Sequence, residues 1–161
     1  MEEIRKKRIA ILGSTGSIGT QALEVIAEHP DLYEAYALTA NNRVDLLIQQ
    51  ARRFMPDAVV IANEAKYQQL KEALADLPIK VYAGPDALCE VAEAGPVDMV
   101  LAAMVGYAGL RPTMWAIQAG KPIALANKET LVVAGELIND LALKHRVPWK
   151  TMPTVRKSGK P

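Results

Sequence analysis

Short β-branched runs alternate along this chain with helix-length amphipathic stretches, the pattern of a parallel sheet with crossover helices, and so predict an α/β fold. A second observation sharpens the class. A glycine-rich turn, Gly13-Ser-Thr-Gly16-Ser-Ile-Gly19, follows the first run directly and opens the first helix. The third is residues 97–101, apolar at almost every position, as a central strand covered on both faces must be. Together they predict a Rossmann-type, doubly wound, mostly parallel six-stranded sheet with helices on both faces. At 161 residues there is material for about one such domain.

The elements follow in order. Residues 8–12 make the first strand, and 17–29 a helix with Ile18, Ala22, Val25 and Ile26 on one face, stopped by Pro30. Residues 33–39 form the second strand. A helix over 43–54 repeats apolar residues at Val44, Leu47, Ile48 and Ala51, the stripe of a helix packed on a sheet. Residues 57–61 are a third strand, after which Asn63 caps a helix bearing Tyr67, Leu70, Leu74 and Leu77. Strands over 79–82, 97–101 and 122–125 complete the sheet. Between them lie a short helix capped by Asp86 and stopped at Gly95-Pro96, and a helix over 113–119 stopped by Gly120; a last helix spans 128–145. The predicted domain covers 7–146. Residues 147–161, with three prolines, four cations and no acid, read as an irregular basic tail.

Composition excludes several function classes. Nineteen Lys and Arg face eighteen Asp and Glu, but Lys150, Arg156, Lys157 and Lys160 lie in the tail, so the body is mildly acidic and unsuited to neutralising nucleic-acid phosphates. One cysteine, Cys89, can form neither an internal disulfide nor a four-ligand zinc site, and it suits a reducing cytoplasm. No apolar run reaches the ~18 residues of a membrane span, and the charged opening is not a signal peptide. A soluble cytoplasmic protein is expected, with no nucleic-acid or membrane partner.

The glycine turn carries the chemistry. Glycines at 13, 16 and 19 let the backbone bend tightly and approach a diphosphate, while the helix N-terminus offers unpaired N–H groups and the positive end of its dipole. Ser14, Thr15 and Ser17 add hydroxyls, and Ile18 lies in the first turn. Glycine-rich turns also exist for packing alone, yet the strand before and the helix after favour a dinucleotide. Its identity is read about 20 residues on, where an NAD site presents an acid to the ribose 2′-hydroxyl. Here the chain reads Leu38-Thr-Ala-Asn41-Asn42-Arg43, with no acid before Asp45. Asn41, Asn42 and Arg43 suit a 2′-phosphate, so NADPH is favoured over NADH. The alternative makes Arg43 a solvated residue of the next helix.

Two further clusters fall at strand ends. Ala102-Ala103-Met104-Val-Gly106-Tyr-Ala-Gly109 offers small residues, Ala103 and Gly106 among them, for close passage of a nicotinamide ribose, or is ordinary turn chemistry before Pro112. Asn127-Lys128-Glu129 places a cation beside a carboxylate where a polar substrate could be oriented, though Asn127 as helix cap and Glu129 in a first turn also make structural sense. Tyr67-x-x-x-Lys71 imitates the short-chain dehydrogenase pair, but Tyr67 belongs to an apolar stripe. Cys89 reads as a buried small hydrophobe, and His29 and His145 as helix-end residues without further ligands nearby, so no metal site is assigned.

The segments Ile11-Leu-Gly-Ser-Thr-Gly-Ser-Ile-Gly19, Ala102-Ala-Met-Val-Gly-Tyr-Ala-Gly-Leu110 and Leu125-Ala-Asn-Lys-Glu-Thr130 together resemble the 1-deoxy-D-xylulose 5-phosphate reductoisomerase family. The likeness runs from about residue 7 to 148 and is to that family's N-terminal NADPH-binding domain. It implies an enzyme of non-mevalonate isoprenoid biosynthesis that rearranges 1-deoxy-D-xylulose 5-phosphate and reduces the product with NADPH to 2-C-methyl-D-erythritol 4-phosphate. By the resemblance Thr15, Gly16, Ser17 and Ile18 line the cofactor phosphates, Gly106 lies on the nicotinamide side and Asn127 contacts NADPH. Lys128 and Glu129 would be the catalytic pair, approaching substrate and cofactor. The family often has Gly, Lys or Arg, then Asn where this chain has Asn41-Asn42-Arg43.

Family members are homodimers more than twice this length and bind Mg or Mn through carboxylates that follow a Val-Pro pair. After Val147-Pro148 this chain has no carboxylate, so the resemblance implies a truncated member with a non-native tail, without turnover of its own. The rival expectations are another NADP-dependent reductase, which should present Tyr67 to the nicotinamide, or a non-catalytic NADP-sensing module.

Overall fold

A computed structural model describes residues 5–104, 106–125, 143–146 and 149–151. Seven strands form one parallel sheet: β1 (Lys7–Leu12), β2 (Tyr33–Ala40), β3 (Ala58–Ile61), β4 (Lys80–Ala83), β5 (Met99–Ala102), β6 (Ile123–Leu125) and β7 (Trp149–Thr151), in the spatial order β4-β3-β2-β1-β5-β6-β7. The helices are α1 (Ser17–Glu28), α2 (Val44–Phe54), α3 (Tyr67–Ala73), α4 (Pro85–Glu93) and α5 (Leu110–Gln118).

β1 is central because its side chains are apolar on both faces. Ile9 and Ile11 point into one core with Leu23, Ile26, Leu47, Ala51 and Leu70 beneath α1, α2 and α3. Ala10 and Leu12 point into the other, with Leu88, Val91, Ala116 and Ile117 of α4 and α5. The chain first builds outward from β1 through β2, β3 and β4, then returns to the other side of β1, where Leu12 pairs with Ala102 of β5. That reversal opens a crevice at the carboxyl ends of β1, β2 and β5.

All six expected strands are present. The sheet continues by one strand into the stretch expected to be an irregular tail: Trp149–Thr151 pairs in parallel with β6. An edge strand needs only extended backbone to meet the free N–H and C=O row of its neighbour, and apolar periodicity is no guide to that. Of the last predicted helix, residues 143–145 are helical and 126–142 lie outside the described residues.

Three smaller expectations shift. Leu23, with Gly19 and Ile26, faces the core from α1, whereas Val25 is 49% exposed. The stripe is tilted by one position because Gly19 has to meet the glycine turn. Asp86 lies in the first turn of α4 rather than at its cap, since Gly84 at φ +98° and Pro85 at the first helical position make the entry. α5 starts at Leu110, three residues early. Pro112 is tolerated because first-turn N–H groups have no intrahelical acceptor.

Candidate functional site

The bend between β1 and α1 is built by two of its three glycines in different ways. Gly13 has φ +88°, where an L side chain is strained, and a Cβ there would meet the Ala103 carbonyl oxygen at 2.8 Å. A Cβ on Gly19 would collide with the carbonyl oxygen of Gly13 and lie 2.7 Å from Ser14 Cα, so this glycine seats α1 against the bend. Gly16 is different. Its φ of −81° suits any residue, and a Cβ would find only the Gly13 oxygen, at an ordinary 3.7 Å. The protein itself makes no demand for glycine at 16.

Neighbouring elements hold the bend in shape. The Gly13 amide donates to Thr39 Oγ1 at 2.9 Å, Thr39 Oγ1 donates to the Ile11 carbonyl at 3.1 Å, and the Ser14 amide donates to the Thr39 carbonyl at 2.8 Å. Ser14 is fully buried, its hydroxyl donating to Gln50 Oε1 at 2.8 Å while Gln50 Nε2 donates to the Ser14 carbonyl at 2.9 Å. Ser14 is therefore no ligand donor, contrary to the expectation for its hydroxyl, because that hydroxyl is turned into the core. Ser17 is exposed at the start of α1, where no side chain caps the helix and no acid sits in the first turn, and Ile18 follows half-buried.

Opposite the bend stands the tip of β2. Asn41, Asn42 and Arg43 are all exposed; Arg43 is the N-cap residue of α2, and its guanidinium donates to the Thr15 carbonyl at 3.1 Å across the crevice. Asn63, after β3, shapes this tip: its Nδ2 donates to Asn42 Oδ1 at 2.9 Å, its backbone amide donates to the Asn41 carbonyl at 3.0 Å, and its Oδ1 accepts from Ala65 N at 3.0 Å. That last contact caps a 3-10 turn, Glu64–Lys66, and not the expected helix: α3 starts only at Tyr67, without a side-chain cap, and ends before Leu74 and Leu77. Between the two walls lies a cleft of about 220 Å³ lined by Gly13, Thr15, Gly16, Asn41, Asn42, Arg43, Ala103 and Met104.

The fold thus brings together the expected residues of three separate segments. Gly106 opens a 3-10 turn, Gly106–Gly109, four residues after β5. Asn127, Lys128 and Glu129 lie outside the described residues; β6, which precedes them, ends at Leu125, paired with Ala102 at the carboxyl end of β5. Thr39, Gln50 and Asn63 join the expected residues as groups that shape the site. For the first two a signal existed: Thr39 is a polar residue in an otherwise small and apolar strand end, and Gln50 falls one helical step from Leu47, on the buried face of α2.

Other features do not compete for this role. Tyr67 packs against the core beneath α1–α3 and borders a cavity with Glu64, Val81 and Tyr82, away from the glycine bend; Lys71 lies over its ring at 5.6 Å. Cys89 is buried, and burial pushes its thiol upward, with the Arg111 charge opposing more weakly. A larger cleft of about 380 Å³ beside β4 is lined by Tyr36, Asp57, Lys80, Tyr82 and Glu90, with no glycine bend among its lining residues. Among the described residues no group of three or more His, Cys, Asp or Glu could hold a metal ion, and no helix is long and apolar enough to cross a membrane.

A parallel sheet with its switch point at β1, a three-glycine bend into a helix and an acid-free second strand tip define a Rossmann-type dinucleotide-binding domain. The 1-deoxy-D-xylulose 5-phosphate reductoisomerase family model matches residues 9–135, and the chain belongs to that family. The reductoisomerase of Bacteroides fragilis is 78% identical over 148 residues, which are 92% of this chain and 38% of the relative. That of Chloroherpeton thalassium is 50% identical over 139 residues, 86% of this chain and 36% of the relative. Among solved structures, the Zymomonas mobilis enzyme in complex with NADPH superposes with a TM-score of 0.87 at 43% identity, covering 91% of this chain and 38% of that one. A reductoisomerase in complex with NADPH, fosmidomycin and magnesium gives 0.86 at 42% identity, covering 90% of this chain and 36% of that one. The chain therefore spans well under half the length of the relatives it matches. Homoserine dehydrogenase from S. aureus, at 19% identity and a TM-score of 0.55, shares the fold alone.

Proposed function

We propose that this chain is the NADPH-binding domain of a 1-deoxy-D-xylulose 5-phosphate reductoisomerase, holding the reductant for conversion of 1-deoxy-D-xylulose 5-phosphate to 2-C-methyl-D-erythritol 4-phosphate. The observation that carries this reading is the cleft between the glycine bend and the acid-free β2 tip, with Arg43 reaching across it. Thr15, Gly16, Ser17 and Ile18 would line the diphosphate, favoured by the positive end of α1. The Gly16 amide itself donates to the Gly13 carbonyl at 3.3 Å, so the amides offered to the ligand are those of Thr15, Ser17 and Ile18. Gly13 and Gly19 shape the bend, and the absence of a side chain at 16 leaves the backbone open to the ligand.

Asn41, Asn42 and Arg43 would receive the ribose 2′-phosphate. A guanidinium forms paired charge-assisted hydrogen bonds with phosphate, and no carboxylate stands there to repel it. Ala103 and Gly106 leave room for the nicotinamide ribose beyond the end of β5, and Asn127 would contact the cofactor. Lys128 and Glu129 are assigned the catalytic positions next to substrate. When bound, NADPH supplies the hydride of the reductive half of the reaction.

Among the described residues no cluster of His, Cys, Asp or Glu fits a divalent ion. The metal contacts, and the substrate contacts other than those of Lys128 and Glu129, are assigned to the greater part of the relatives' length, which this chain does not cover. The single buried cysteine suits a reducing cytoplasm.

Titration with NADPH and NADH, on the unaltered chain and on Arg43→Ala, tests the reading. Loss of about 1–3 kcal/mol for NADPH alone is expected for a charge-assisted phosphate contact. Equal losses for both cofactors would refute the role of Arg43. Failure of the unaltered chain to bind NADPH would refute the domain assignment itself.

A further inference from the structure

We infer that Gln50 is a positioning residue for the diphosphate: from α2 its Nε2 holds the Ser14 carbonyl, while its Oε1 takes the Ser14 hydroxyl, and the carbonyl contact aims the Thr15 amide into the cleft. The inference rests on the NADPH-binding reading and adds a residue that touches no ligand. Gln50 is 6% exposed and Ser14 is fully buried. The Ser14 carbonyl can only accept, so the 2.9 Å contact must come from Gln50 Nε2, which leaves Oε1 to take the Ser14 hydroxyl proton at 2.8 Å. The hydroxyl's other acceptor, the Thr39 carbonyl at 3.2 Å, is farther and already receives the Ser14 amide at 2.8 Å.

The consequence follows from peptide geometry. In a planar trans peptide the C=O and the next N–H point in opposite directions. Anchoring the Ser14 carbonyl inward on Gln50 therefore turns the Thr15 N–H outward, toward the cleft that Thr15 and Gly16 line. The Arg43 guanidinium fixes the next carbonyl, that of Thr15, from the opposite wall. α2 thereby serves the site twice: Arg43 at its N-cap faces the cleft, and Gln50, two turns later, holds the far side of the bend.

The test compares the unaltered chain with Gln50→Leu and Ser14→Ala, using NADPH, NADH and adenosine 2′-monophosphate as probes. The first two carry the diphosphate, whereas the third reports only the β2 tip. For Gln50→Leu, NADPH and NADH should each weaken by about tenfold or more with their ratio unchanged, while adenosine 2′-monophosphate binds as before. The Thr15 amide resonance should move in the ligand-free spectrum. Ser14→Ala keeps the carbonyl contact and should stay within about threefold of the unaltered chain for all three probes.

A Gln50→Leu chain that loses the 2′-monophosphate in proportion to NADPH would overturn the inference, because that is the mark of general unfolding. So would one that binds NADPH unchanged, or a Ser14→Ala loss as large as that of Gln50→Leu. Absence of NADPH binding by the unaltered chain would instead refute the underlying reading, a result distinct from any of these.

Discussion

Replacing Gly16 and Gly19 separately by alanine should divide binding from folding. At Gly19 the added methyl would collide with the Gly13 carbonyl oxygen and sit 2.7 Å from Ser14 Cα and 2.9 Å from its carbonyl carbon. These are backbone atoms of a bend already tied to Thr39 and Gln50, so α1 must move and the contacts of Leu23 and Ile26 with the sheet move with it. Overpacking of this kind costs about 1–3 kcal/mol, and here the upper end is expected because neither partner is a flexible side chain. At Gly16 two small effects oppose each other. Alanine is a poorer N-cap than glycine by about 0.5–1 kcal/mol, and it stiffens the unfolded chain by about 0.4–1 kcal/mol. Net stability should change by less than about 0.5 kcal/mol.

Ligand affinity should behave the other way. A methyl at 16 occupies the side of the bend through which a diphosphate reaches the backbone amides, so NADPH should weaken by about tenfold or more, about 1.4 kcal/mol. Urea melts without ligand and a fluorescence titration with NADPH, run on both variants, supply the comparison. A Gly16→Ala chain that binds NADPH like the unaltered one would refute the argument that position 16 is kept bare for a ligand. A Gly19→Ala chain of unchanged stability would refute the packing argument.

Thr39→Val keeps the shape but strips the acceptor from the Gly13 amide and the donor from the Ile11 carbonyl; a loss of about 1–3 kcal/mol is expected, seen as a lower urea midpoint. Asp98 links the starts of β1 and β5, accepting from the Arg8 amide at 2.8 Å and from the Arg5 guanidinium. Burial pushes its carboxyl up, but the Arg8 amide and the Arg5 guanidinium outweigh that and hold it below the ordinary aspartate value. A lowered folded-state pKa stabilises the fold above the unfolded value of about 3.9, and the contribution disappears as pH falls through the folded value. The stability gap between the unaltered chain and Asp98→Asn should therefore be constant above about pH 5 and close at lower pH, as read from urea midpoints across that range. The buried Cys89 thiol, pushed up by burial, should react with a disulfide reagent at pH 8 only as fast as the chain opens, and rapidly in urea; fast reaction of the native chain would contradict its burial.

Much of the architecture could be read from residue order, because strand and helix periods are local properties. β1, with apolar residues facing both cores, could only be central, and Gly13-x-x-Gly16-x-x-Gly19 could only follow it closely. That Arg43 would stand at an acid-free strand tip was legible from an absence, that of any acid between Leu38 and Asp45, and the structure places it on the wall of the cleft. What residue order left open depends on distance between segments. Ser14 looked like a ligand donor until Gln50, 36 positions later, took its hydroxyl. Val25 looked buried until Gly19, pressed against the bend, set the rotation of α1.

Residue order by itself therefore settled the fold class, the place of the glycine bend and the absence of an acid at the second strand tip, since each follows from residue types within a few positions of one another. Only tertiary structure decided which glycine is free of packing duty, which polar side chains are turned inward to hold the bend, and that a seventh strand extends the sheet beside β6. Those outcomes depend on atoms brought within about 3 Å from elements far apart in the chain, and no local pattern encodes such proximity.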